Sequence, residues 1–256
     1  MKTSDREAIV AAFARLRAAR DEICGLEITT LTAMERLELL AALEFDRRRQ
    51  PDIEHRLLGG LVGECTPAAL GGANWAHVLQ QRLRVSLTDA RRRLQEAAEL
   101  GPRTALTGQR LEPLLPNLAK RQAAGEVGAD HVRIIREFFA ELPAAVDAPT
   151  RQTCEETLSG LAAEHAPEVL REAAQRLAAL VNPDGTFSDR DRAGKRGLTL
   201  GPQRPDGMSA IRGHLDPQAR ATLEALLAKL AAPGMCNPDD EKPLHRRRTQ
   251  RPDGAR

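Results

Sequence analysis

Apolar residues recur along most of this chain at intervals of three and four, the spacing of one face of an α-helix. The first stripe, Ile9, Phe13, Leu16 and Ile23, predicts a helix from Ser4 to about Cys24, with Gly25 as its stop. Thr32 followed by Glu35 has the capping-box pattern and opens a second run through Leu37, Leu40, Leu43 and Phe45. Arg47–Arg49 and Pro51 interrupt that run, which resumes through Leu58 and stops at Gly59-Gly60. Thr66-Pro67 reads as a short turn, and Trp75, Val78, Leu79 and Leu83 as the next helix. Ser86 opens another that ends at Gly101-Pro102, and a loop follows it. Further helices are expected from Leu114 to about Gly125, through Val132 to Phe139, and near 150–164 and 168–181.

At Asn182 the period changes. Arg196 to Leu200 and Met208 to Leu215 alternate with period two around a Gly-Pro-Gln-Arg-Pro-Asp-Gly loop, the pattern of a β-hairpin. Asp216 then stands where an N-cap belongs, with Pro217 in the first turn, and Leu223, Leu226, Leu227 and Leu230 form an apolar stripe. This pattern predicts a hairpin locked to the helix, with Leu198, Leu200, Ile211 and Leu215 in a common core. The expected fold is mainly α: a multi-helix array with one small β-hairpin near the C-terminal end. Its expected divisions are an N-terminal helical pair (1–60), a helical domain carrying the hairpin at 196–215 (61–232), and a disordered basic tail (233–256).

Composition narrows the choices. Aromatic residues make up 2% of the chain, with one Trp and no Tyr, so the core must be built from Leu, Ala, Val and Ile. That favours close-packed helices and weighs against single-strand binding by base stacking. Cys24, Cys65, Cys154 and Cys236 lie far apart without a C-x-x-C pair, so no zinc or redox site is signalled. The charged N-terminus is unlike a signal peptide and no apolar run approaches membrane-spanning length, so a cytoplasmic location without a membrane partner is expected. The formal charge is +2. Beyond Glu241, six basic residues face only Asp253, which leaves the preceding body mildly acidic. Any weak DNA affinity is therefore expected mainly from the tail.

Few residues suggest chemistry. The best nucleic-acid candidates are Arg190, Arg192, Lys195 and Arg196, leading into the hairpin, with Arg246, Arg247 and Arg248 in the tail. Interleaved Asp189 and Asp191 oppose the first group. Arg91–Arg93 cannot all share one helix face and read as an ion-paired surface. Asp184, Asp189 and Asp191 with Asn182 are the nearest approach to a metal site, but the spacing does not match a calcium loop. The six histidines include no i,i+4 pair, and nothing frames a nucleophile. No catalytic, cofactor or metal residue is assigned.

Long phrases of the sequence resemble a known family. RGLTLGPQ and DGMSAIRGHLDPQARATLEALLAKLAAPGMCNPDD are similar to the mycobacterial thirteen-E-twelve (REP) repeat proteins. LEPLLPNLAKRQAAGEVGADHVRIIREFFAELPAAVD and NPDGTFSD fit as well, so the resemblance covers roughly residues 61 to 240. The N-terminal region of that family is a large actinobacterial domain of unknown function that usually precedes an HNH nuclease module. The resemblance thus implies a helical domain beside a metal-dependent nuclease whose His ligands and general base have no positions here. After Asp240 the sequence leaves the family pattern. The expectation is a non-catalytic, truncated accessory module that contacts DNA or a protein partner. The alternatives are a stand-alone metal-dependent nuclease using the three aspartates, or an inactive remnant of an HNH endonuclease.

Overall fold

A computed structural model describes residues 3–105, 107–183 and 187–230. The expected tail, with Cys236 and Arg246–Arg248, lies outside the described residues, as does Asp184. The chain divides into two compact units: residues up to Glu141 with Asp147–Val181, and Leu142–Val146 with the chain from Asn182 onward. The fold is mainly α, with ten helices and two antiparallel strand pairs among the described residues.

The first unit holds α1 (Thr3–Gly25), α2 (Ala33–Glu64), α3 (Trp75–Leu83), α4 (Leu87–Leu100), α5 (Pro116–Ala123), α6 (Ala129–Glu141), α7 (Ala148–Glu164) and α8 (Pro167–Val181). Thr32 and Glu35 make both hydrogen bonds of the capping box that opens α2. The expected boundary near residue 60 falls inside α2, which runs unbroken through Pro51 and Gly59-Gly60 to Glu64. Packing explains this: from about Phe45 onward α2 lies against α4 and α5, and tertiary contact overrides local propensity.

The core lies between α3 and α8. Leu118, Ile135, Leu158 and Leu170 are fully buried, and a cluster of Leu58, Ala76, Leu79, Ala90 and Ala97 joins α2, α3 and α4. Only eight residues long, α5 would be marginal alone. It is held at both ends from elsewhere. At its N-terminus, where Leu115 offers no side-chain cap, buried Glu155 of α7 accepts from the Leu118 N–H at 2.8 Å and from Asn117 Nδ2. At its C-terminus Arg49 donates to the Ala123 carbonyl at 3.2 Å, and Arg48 to the Glu126 carbonyl just beyond at 3.4 Å. A carboxylate at the positive end and cations at the negative end complement the helix dipole. Gly125, at φ +80°, ends this segment under the Phe45 ring, where a Cβ would collide.

Charged side chains also tie helices together. Arg93 of α4 pairs with Glu54 of α2 at 2.7 Å, and Arg136 of α6 pairs with Glu99 and Glu96 of α4 at 2.5 and 3.3 Å. Arg92 bonds Asp89 and Glu96, so Arg92 and Arg93 are ion-paired as the sequence suggests. Buried His131 accepts the Gly128 N–H at Nδ1, which leaves Nε2 to donate to the His165 carbonyl at 2.9 Å.

A short strand pair, β1 (Arg103–Thr104) with β2 (Arg110–Leu111), occupies the segment expected to be loop. Two residues per strand are too few for a period to show, and the turn between them depends on Gly108 at φ +84°.

The second unit contains α9 (Asp189–Lys195), β3 (Gly197–Leu200), β4 (Ile211–His214) and α10 (Pro217–Leu230). The hairpin is present, but shorter than the alternation predicts. Its register pairs Leu198 with Gly213 and Leu200 with Ile211. The lock does not form. Leu198, Leu200 and Ile211 are 60%, 69% and 65% exposed, and Leu198 and Leu215 face Leu223 and Leu226 of α10 only across an open groove. The period places these side chains on one face, but nothing described closes over that face.

Candidate nucleic-acid interface

The site grows from two caps. Ser188 opens α9 with a capping box: its hydroxyl accepts from the Asp191 N–H at 3.1 Å, and Asp191 accepts from the Ser188 N–H at 2.9 Å. The other oxygen of Asp191 accepts from the Ala144 N–H at 3.2 Å. These bonds, those from Ser188 foremost, hold the Asp191 carboxyl below its ordinary pKa. Asp216 opens α10 in the same way, accepting from the Ala219 N–H at 2.8 Å, and that bond likewise lowers its pKa. Of the two carboxylates that the sequence set against the basic cluster, Asp191 is therefore turned to a helix N-terminus, while Asp189 pairs with Arg192.

The cations occupy the opposite role. Arg192, Lys195 and Arg196 border an open groove of about 280 Å³ together with Phe187, His214 and Leu215, and Asp191 and Asp216 border it too. Lys195 Nζ stands 5.4 Å from the centre of the Phe187 ring. Arg196 reaches Asp216 at 3.5 Å and Arg192 reaches Asp189 at 3.1 Å. Both pairs are largely solvated, so they hold their arginines only weakly. Because opposite residues of a hairpin share a face, His214, Thr199 and Arg212 stand on one side of the ribbon and Leu198, Leu200 and Ile211 on the other.

The structure thus brings together three of the four body residues expected from sequence. Arg190 is exposed but does not border the groove. Arg246, Arg247 and Arg248 lie outside the described residues. The sequence reading missed two participants. His214 was given no role there, and α9 was not read as a helix, although Ser188 followed by Asp191 is a cap signal.

A metal site is not assembled among the described residues, where no group of three His, Cys, Asp or Glu side chains could hold an ion. A larger open cleft of about 640 Å³ in the first unit is bordered by Arg136, Glu99, Phe139 and Glu155. Arg136 and Glu99 there are paired with each other and Glu155 caps α5, so these groups serve packing. No described helix is long and apolar enough to cross a membrane.

Residues 37–256 match the model of a family described as a domain of unknown function (DUF222). The chain belongs to this family. The uncharacterized protein MT1160 of Mycobacterium tuberculosis strain CDC 1551 is 46% identical over 240 residues, which cover 94% of this chain and 57% of the relative. Uncharacterized protein Rv1128c of M. tuberculosis strain H37Rv is also 46% identical, over 94% of this chain and 53% of its own. In Mycobacterium bovis, uncharacterized protein Mb1179c is 45% identical over 95% of this chain and 54% of its own. The chain thus spans about half the length of the curated relatives it matches. No solved structure matches it.

Proposed function

We propose that this DUF222 chain is a non-catalytic accessory module that binds duplex DNA weakly through the basic side of its second unit. One observation carries the reading: Arg192, Lys195, Arg196 and His214 converge on one groove, and Asp191 and Asp216, which also border it, accept helix N-terminal N–H groups, Asp216 while reaching Arg196 at 3.5 Å. A two-stranded ribbon with cations on one side can lie against a phosphate backbone, and phosphates can displace solvated carboxylate partners. Such contacts position a protein on DNA without reading its sequence. The basic run Arg246–Arg248 supplies further charge of the same kind. The accessory role follows the resemblance to proteins in which a helical domain of this type precedes an HNH nuclease module.

Fluorescence anisotropy with a labelled duplex tests this. The triple variant Arg192→Glu/Lys195→Glu/Arg196→Glu should bind at least about tenfold more weakly at about 50 mM salt, with a flatter salt dependence. Equal binding by the variant would remove the groove from the interface. No cleavage of single- or double-stranded DNA is expected with Mg²⁺, Mn²⁺ or Zn²⁺. EDTA-sensitive cleavage that disappears in Asp189→Ala would replace the proposal with a nuclease.

A further inference from the structure

The N-terminal helices present a surface that the first unit does not use. Every residue of α1 from Asp5 to Gly25 is exposed, and so is α2 from Ala33 to Leu43. Thirteen large apolar side chains between Ile9 and Phe45 are 45–64% exposed. At roughly half exposure each, they present on the order of 1,000 Å² of apolar surface, against about 800 Å² per partner in a specific interface. A helix of 23 residues with no packed face lacks the tertiary contact that supplies most helical stability in proteins. The front of α2 carries Met34, Leu37, Leu39, Leu40 and Leu43 around its circumference, the mark of a helix meant to be enclosed.

We infer that this surface is covered by a second copy of the chain, with α1 of each copy packed on the front of α2 of the other. Charge selects this pairing. Between Ala8 and Arg20, α1 carries Arg15, Arg17 and Arg20 and no acidic residue. Between Ala33 and Asp46, α2 carries Glu35, Glu38, Glu44 and Asp46 against Arg36 alone. Asp5, Glu7, Asp21 and Glu22 flank this stretch, but pairing its centre with its own counterpart would set arginines against arginines, whereas the centre of α1 on the front of α2 joins opposite signs. The lengths agree as well. The stripe from Ile9 to Ile23 spans about 21 Å and the run from Met34 to Phe45 about 17 Å.

The structure does not make the same contact within one chain, and the connection between the helices is ordered. Leu26 and Leu31 donate to the carbonyls of Ile23 and Ile28. Thr29 donates to Glu27, and Arg36 donates to the Thr29 carbonyl at 3.0 Å. With this turn in place α1 and the front of its own α2 are both exposed, so they do not cover each other, and exchange between copies leaves the turn as it is. The resulting contact is isologous, since each copy gives one α1 and receives one.

Two charge reversals test the arrangement by sedimentation velocity and light scattering on the full chain. Glu44 is already paired with Arg47 and Arg48, so Glu38 and Asp46 are the residues to reverse on α2. The wild type should be a dimer. Arg17→Glu/Arg20→Glu and Glu38→Arg/Asp46→Arg should each weaken self-association at least about a hundredfold. An equimolar mixture of the two should restore a dimer, because both contacts of the mixed pair regain opposite signs. Circular dichroism confirms that each variant keeps its helix content, and Leu16→Glu gives an independent way to break the same face. A wild type that stays monomeric at tens of micromolar overturns the inference. So do variants that still self-associate, or a mixture that fails to pair, the result expected if α1 covers its own α2.

Discussion

Leucines in the two units meet different fates although their spacing is equally regular. In the first unit Leu118, Leu158 and Leu170 are sealed completely, each between helices contributed by distant parts of the chain. In the second, Leu198, Leu200 and Ile211 line one face of a correctly paired hairpin and remain mostly in water. Periodicity tells which side of an element is apolar. It does not tell whether another element arrives to cover that side. The first unit supplies α2 through α8 as mutual covers, whereas the second has, among the described residues, only α9 and α10, and α10 borders an open groove beside the ribbon.

The sharpest way to test this contrast is to cut the sealed region. Ile135→Ala removes a fully buried side chain from α6 and should cost about 2–5 kcal/mol, measured by urea denaturation. Next comes Glu155→Ala, which strips the N-terminus of α5 of its acceptor and leaves the buried Leu118 N–H unpaired. A loss of about 1–3 kcal/mol is expected. If Glu155→Ala proves neutral, α5 does not depend on its distant cap and the first unit is less interlocked than its geometry implies.

That cap also marks what the sequence could and could not show. Thr32-Glu35 and Ser86 are legible because a cap and its partner lie three residues apart. The hairpin and α10 are legible for the same reason, since period two and Asp216-Pro217 are local signals. Glu155 capping α5 spans nearly forty positions, as do Arg93–Glu54 and Arg136–Glu99, and no spacing rule connects them. Arg47–Arg49 looked like an interruption of α2, yet Arg48 and Arg49 serve the end of α5 more than seventy residues on. In the candidate site, the basic residues were visible from sequence. Whether Asp189 and Asp191 neutralise them was not, because that depends on where each carboxylate points.

Acid should separate the units by the pH at which each responds. Burial holds the His55 imidazole below its ordinary pKa, opposed by Glu96, Glu54 and Asp52, with Arg136 adding to the shift. The folded state therefore binds this proton less readily than the unfolded chain. Stability is full above about pH 6.5, begins to fall below it, and levels off once the folded group also titrates. In the second unit Asp191 and Asp216 have lowered pKa values, so their contribution persists to about pH 4 and disappears as pH falls further through the folded values. Urea melts between pH 7 and 5 should show a decline that His55→Asn removes. A decline that persists in that variant would assign the titration elsewhere.

The smallest expected effect bears most directly on the contrast. Alternation alone predicts that Leu200 is a core residue, whose truncation should cost more than loss of the Asp216 cap. The structure reverses that order. Leu200 is 69% exposed, so Leu200→Ala removes little buried surface and should change stability by less than about 0.5 kcal/mol. Asp216 accepts the Ala219 N–H, and Asp216→Ala should cost about 1 kcal/mol, the usual worth of an N-cap. Gly213→Ala provides the control, because a Cβ there would strike the Gly197 carbonyl oxygen and break the strand pairing itself. Hydrogen exchange at β3 and β4 can follow all three variants within the intact chain. Protection should be lost in Gly213→Ala and retained in Leu200→Ala, since the ribbon is held by its backbone ladder and not by an apolar face. Should Leu200→Ala instead destabilise the chain by 2 kcal/mol or more, on the scale of a core truncation, the apolar face of the ribbon is covered in solution. The contrast between the two units would then vanish.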